Sequence, residues 1–153
     1  AKETQISING ASTVRDIKGD FLEADIKVSG ASKLYGNISA DELDIEISGA
    51  SKAEVNGEFE KVDLECSGAS KALLSGTADE VSLEGSGVSS IVAEDMKVKD
   101  AEIDLSGTAK ASIYVTRRLN VECSGASSCA YKADKSISIT SEVSRGSSLR
   151  RID

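Results

Sequence analysis

The sequence predicts an all-β chain: a single-stranded right-handed parallel β-helix, a solenoid of about eight coils with a period of 19 to 20 residues. The first observation is a repeat. Ser-Gly-Ala-Ser-Lys stands intact at Ser29 to Lys33, Ser48 to Lys52 and Ser67 to Lys71, and altered at Asn9 to Ser12, Ser86 to Ser89, Ser106 to Lys110, Ser124 to Ser127 and Ser144 to Ser147. Its glycines, Gly10, Gly30, Gly49, Gly68, Gly87, Gly107, Gly125 and Gly146, are 20, 19, 19, 19, 20, 18 and 21 residues apart. The second is strict alternation before each copy, the mark of a strand with one buried face. The third is composition: 13 Gly, no Pro and only five Phe and Tyr in 153 residues describe short strands with small-residue corners.

With the first residue of each copy as position zero, three columns read as inward. Minus one holds Ile8, Val28, Ile47, Cys66, Gly85, Leu105, Cys123 and Val143. Minus three runs from Ile6 and Ile26 through Leu64 to Val121, and minus five from Ala24 and Leu43 to Leu119. Past the motif, plus five carries Val14, Leu34, Ala53, Ala72, Ile91, Ala111 and Cys129. Looser turns such as Asn56-Gly57-Glu58 and Ser75-Gly76-Thr77 follow, so each coil is expected to hold two or three short strands. No 3.6-residue pattern of useful length predicts a helix.

Nineteen extended residues span about 60 Å, enough for a closed triangular coil, and equivalent residues of successive coils then stack about 4.8 Å apart. A left-handed β-helix prefers hexapeptides and an 18-residue coil, which the uneven spacing does not respect. Leucine-rich repeats need a Leu-x-x-Leu-x-Leu frame, which is absent. The motif itself reads as a corner. Glycine supplies positive φ or close backbone approach, alanine is expected to fill the vertex, and the serine hydroxyls are expected to satisfy corner backbone groups. One domain, 1–153, is expected, with irregular terminal coils near 1–22 and 132–153.

Outside, position minus two reads Ser7, Lys27, Glu46, Glu65, Glu84, Asp104, Glu122 and Glu142, and minus four adds Asp25, Asp44, Asp63 and Glu102. Stacked unit charges at this spacing repel by about 1 kcal/mol in water-like dielectric, so the column needs an offset such as Lys27 beside Glu46, bound cations or protonation. The candidate binding residues are therefore Asp44, Glu46, Asp63, Glu65, Glu84, Asp104 and Glu122. A second outward column, Lys33, Lys52, Lys71 and Lys110, lies past the corner. The plain alternative for both is a solvated surface. Calcium needs six to eight convergent oxygens, which flat rows supply poorly, and no metal or other cofactor is expected.

The net charge of -8 argues against a nucleic-acid partner, since the basic cluster Arg145, Arg150 and Arg151 is confined to the tail. No apolar run approaches the roughly 18 residues of a membrane span. No secretory leader is legible, and Ala1 fits a start left after one is removed. There is no His, hence no imidazole base or ligand. Cys66 and Cys123 stand three coils apart, about 14 Å, beyond disulfide reach. Cys123 and Cys129 flank one corner and leave a bond open as an alternative; burial of all three as small hydrophobes is the expected state.

The recurrent Val/Ile-Ser-Gly-Ala-Ser blocks, as in Leu43 to Ser51, and the late segment Ser124 to Lys132 resemble the putative auto-transporter adhesin family known by its head GIN domain. That resemblance implies a right-handed parallel β-helix in exported bacterial envelope proteins, in the periplasm, outer membrane or at the cell surface. It carries no family active site.

Three functions compete. The first is a noncatalytic envelope or surface module, adhesin-like or structural, whose long faces bind a glycan, a protein or a neighbouring copy as a homo-oligomer. The second is a polysaccharide lyase or hydrolase using paired carboxylates, with Asp44 and Glu65 as the acids to test. Against it, every candidate acid belongs to a periodic column, and the only rings for sugar stacking are Tyr35, Tyr114 and Tyr131. An ice- or crystal-binding face ranks last, because the outward columns are charged.

Overall fold

A computed structural model describes residues 3–133 and 137–152. Ala1 and Asp153, the ends of the expected domain, lie outside them. Every element among the described residues is a strand, and strands of successive coils pair in parallel to form a β-solenoid of about eight coils. The coils are β1 (Glu3–Ile8), β2 (Thr13–Val28), β3 (Lys33–Ile47), β4 (Lys52–Cys66), β5 (Lys71–Gly85), β6 (Ser90–Leu105) and β7 (Lys110–Cys123), closed by β8 (Ser128–Lys132), β9 (Ser138–Val143) and β10 (Ser148–Arg151). β9 pairs with β7, and β10 with β8.

The expected two or three short strands per coil are replaced by one strand of 14 to 16 residues in each of β2 to β7. Between β4 and β5 the ladder runs through the far bend, because glycine lets the coils approach there. At Gly57 and Gly76 an added Cβ would overlap the carbonyl of the coil below, Ile38 and Gly57 respectively. Hydrogen bonding therefore runs through that bend instead of stopping at it.

The inward columns stand in register as the sequence predicts. Val28, Ile47, Cys66, Gly85, Leu105 and Cys123 follow one another coil by coil, and Val143 continues the register but is exposed, contrary to the inward position expected of it. Ile26, Ile45, Leu64, Leu83, Ile103 and Val121 make a second buried stack. The third is Leu34, Ala53, Ala72, Ile91, Ala111 and Cys129. One continuous apolar core results, and its burial supplies the dominant favourable term of folding. The three thiols are free and buried within it. Burial pushes Cys66 and Cys129 up to about 12 and raises Cys123 as well, so all three stay protonated and inert.

The corner is built differently from the sequence expectation. Glycine takes the positive φ expected of it, between 68° and 77° from Gly10 to Gly125, and an added Cβ on Gly68 would sit 2.7 Å from the Gly49 carbonyl oxygen. The alanine, however, points outward: Ala31, Ala50 and Ala69 are exposed, and Val88 in the same position is 66% exposed. The last serine fills the vertex instead, with Ser32, Ser51, Ser70, Ser89 and Ser127 all buried. Its hydroxyl donates within the corner, Ser32 Oγ to Ser29 O at 2.8 Å and Ser89 Oγ to Ser86 O at 3.0 Å. It also reaches the coil below, as from Ser51 Oγ to Gly30 O at 3.2 Å. A methyl could not satisfy the carbonyls the bend turns inward; a hydroxyl does.

Candidate functional site

The corner divides two outward ladders. On the side before it, the parallel register aligns Asp25, Asp44, Asp63, Ser82, Glu102 and Asn120, and beside them Lys27, Glu46, Glu65, Glu84, Asp104 and Glu122. All seven sequence-predicted residues thus stand on one face. They do not form one cluster. Asp44, Glu46, Asp63, Glu65 and Glu84 border a shallow groove of 340 Å³ together with Asp25 and Ser82. Asp104 and Glu122 line a separate groove of 230 Å³ nearer the C-terminus, together with Glu102 and Asn120 of the adjacent column.

Stacking has a visible electrostatic effect. The Asp44 carboxyl is held above the usual carboxylate range, first by partial burial, then by Asp63, which also shares a hydrogen bond with it, and by Asp25 and Glu42. Lys27 is registered on Glu46, the offset the sequence suggested. The ion pairs of Lys99 with Asp79 and Arg117 with Asp100 lie elsewhere. Asp100 behaves oppositely to Asp44: the hydrogen bond from Arg117 lowers its carboxyl.

On the other side of the corner Lys33, Lys52 and Lys71 follow one another, Ser90 interrupts, and Lys110 resumes the column. The candidate sugar platforms are occupied by cations: Arg15 lies 5.6 Å and Lys52 5.9 Å from the Tyr35 ring, and Lys97 lies 6.0 Å from that of Tyr114. Tyr131 packs partly buried against the core. Among the described residues no three carboxylates or thiols converge as metal ligands, and no helix is long and apolar enough to cross a membrane.

Two features escaped the sequence reading. One is a third outward column beside the acids, Glu23, Glu42, Lys61, Glu80, Asp100 and Arg118, in which signs are mixed. Continuing the alternation one step further back, to minus six, finds it. The other is a groove of 700 Å³ on the far side, lined by Lys18, Asn37, Ser39, Asn56, Gly57 and Thr77. Its residues from Asn37 to Thr77 stand at constant offsets past the corner, in segments the sequence marked only as turns.

The family model described as putative auto-transporter adhesin, head GIN domain, matches residues 21–134. The chain belongs to this family. Solved structures repeat the fold. A putative adhesin from Parabacteroides merdae superposes with a TM-score of 0.83 at 20% identity, over 99% of this chain and 64% of its own. A putative adhesin from Bacteroides fragilis also gives 0.83, at 15% identity, over 99% of this chain and 93% of its own. A putative lipid binding protein from Parabacteroides distasonis gives 0.78 at 19% identity, over 99% of this chain and 62% of its own. Two of these three thus extend well past the length of this chain, and at such identities the likeness shows the fold alone. The sequence matches no curated protein.

Proposed function

We propose that the protein is a noncatalytic module of a bacterial envelope, exported to the periplasm, outer membrane or cell surface, which binds through its flat side faces. The observation that carries this is the regularity of the acidic ladder. Acid–base chemistry needs two carboxyls whose surroundings push them apart, whereas Asp44 and Asp63 are successive copies of one position. The raised Asp44 carboxyl follows from that stacking and from partial burial, with no specialised partner. The family's adhesin description and the adhesin and lipid-binding names of the structural neighbours support a binding role. No particular observation favours polysaccharide cleavage.

The face carrying Asp44, Glu46, Asp63, Glu65, Glu84, Asp104 and Glu122 is the proposed binding surface, and the whole chain is taken to act as one unit. Purified protein screened against glycan, matrix-protein and lipid arrays, with and without calcium, is expected to retain at least one class. The retained signal should weaken in the triple variant Glu46→Gln, Glu65→Gln, Glu84→Gln. Release of oligosaccharides from any polymer, abolished by Asp44→Asn or Glu65→Gln, would replace this function with an enzymatic one.

A further inference from the structure

Both ladders beside the corner are generated by the same coil-to-coil hydrogen bonds, so their charges repeat at one axial spacing, about 4.8 Å. Before the bend stand Asp44 and Asp63, with Glu46, Glu65 and Glu84 next to them; after it stand Lys33, Lys52 and Lys71, and further along Lys110. The bend keeps the two signs on separate faces. Within each column like charges are neighbours and repel by about 1 kcal/mol per pair in water-like dielectric. The ridge between the faces is low. Ala31, Ala50 and Ala69 lie exposed there beside glycines and leave room for a second rod, while Val88 projects further along the same ridge. The lysine face also presents half-buried Leu73 and Val92, and Glu54 is the one acid between Tyr35 and Leu73 in that column.

We propose that the lysine face of one copy of this chain docks on the acidic face of another, side by side, with coils in register. Charge complementarity and a common repeat select a second copy as the occupant, because an unrelated partner would have to reproduce the spacing by chance. The symmetry follows from the signs. A two-fold axis centred on either face alone would set lysine on lysine or carboxylate on carboxylate, so a contact confined to one face of each copy is heterologous. Six coils about 4.8 Å apart and a face about 20 Å wide bury about 600 Å² on each partner, or about 1,200 Å² in total, the lower end of specific interfaces. Association is therefore weak, concentration-dependent and sensitive to salt.

This rests on the faces being binding surfaces, yet its test needs no added ligand, so an empty array screen leaves it standing. Sedimentation velocity across a concentration series is the measurement, at about 0.02 M and about 0.5 M salt, where screening differs several-fold. Wild-type chain is expected to associate at low salt, with an apparent Kd at least about tenfold weaker at high salt. K52E/K71E, which sets acids inside the lysine column, should stay monomeric, and so should E46K/E65K, which sets lysines among the acids. Mixing the two variants should restore association. A wild-type monomer at low salt, association unchanged by salt, or a mixture no different from its components overturns the proposal. Circular dichroism checks that each variant is folded, and the salt dependence of the wild type decides the matter if either is not.

Discussion

At the corner every interior coil repeats the one below it, with the same left-handed glycine, the same three backbone bonds, such as Ser48 to Val28, Ala50 to Gly30 and Lys52 to Ser32, and, except at Ala109, the same buried hydroxyl. The far side of the coil keeps no such discipline. All the register shifts fall there, between Val14 and Ile17, Leu73 and Ser75, Ala93 and Lys97, and Val98 and Asp100. These shifts account for the uneven repeat from Gly10 to Gly125. Arg15 and Asp16 face the single Tyr35 where the spacing is 20, and Asp16 takes a φ of 59° to fit. Ala93 and Glu94 face Leu74 where it is 20 again, and the shifts between β6 and β7 give the step of 18. The corner sets the register and the far side absorbs the differences in length.

The sharpest way to break that contrast is a single inserted alanine. Placed after Ala69, it should abolish cooperative unfolding, because a one-residue slip at the corner turns the following strand inside out. Placed after Glu94, inside an existing irregularity, it should cost about 1 kcal/mol. Equal losses in urea denaturation would mean that the two regions do not differ. Next in size is Gly68→Val, which meets both a φ of 72° and the Gly49 carbonyl, and should lower stability by a few kcal/mol.

Ser70→Ala should cost about 1 kcal/mol by stranding the Ser67 carbonyl, which its hydroxyl reaches at 2.5 Å. Ala109 occupies that vertex in its own coil, so the converse change, Ala109→Ser, is expected to be tolerated; thermal melts of the pair would show the asymmetry.

Smaller effects lie on the faces. Because the Asp44 carboxyl is raised in the folded chain, its proton favours folding at acid pH, and that contribution is lost as the pH climbs through the raised value. Ionised Asp44 is thus a cost at neutral pH, and Asp44→Asn should stabilise slightly there, by no more than about a few tenths of a kcal/mol because solvent screens the exposed carboxylate, with the gain fading below the usual carboxylate range. Asp100, lowered by Arg117, has the opposite sign: its contribution is present at neutral pH and fades on acidification, so Asp100→Asn should destabilise at neutral pH. Denaturation midpoints of both variants across pH would expose a failure of either sign. Smallest of all, Lys71→Ala should stay within about half a kcal/mol of wild type.

The solenoid, its inward columns and the membership of all seven acids in one face were legible because a parallel in-register stack makes sequence offset equal to spatial position. The corner was misread where polarity outweighed geometry. Alternation carried straight through it places Ser32 inside and Ala31 outside, as the structure has them, but a buried hydroxyl beside an exposed methyl contradicts ordinary preference. The deciding fact was the inward carbonyl of Ser29, which exists only once the chain bends. Strand count failed for a related reason, since Gly57 and Gly76 look like turns until the coil below is in place. The division of the acids between two grooves depends on Ser82 and on Glu102 and Asn120, neighbours a linear reading does not weigh.

The serial pairing order, each strand from β1 to β8 hydrogen-bonded to the next along the stack, also bears on how the molecule comes apart. A coil in the middle is clamped from both sides, whereas β1 and β10 each have a strand on one side only among the described residues. Opening therefore starts at the ends and advances one coil at a time, with an energy that is a sum of nearest-neighbour couplings. In amide exchange the most protected hydrogens should belong to β4 and β5, where register shifts are fewest, and protection should fall off toward both termini. A protein held at one end and pulled at the other would yield in steps of one coil, shedding length while its remaining turns stayed intact.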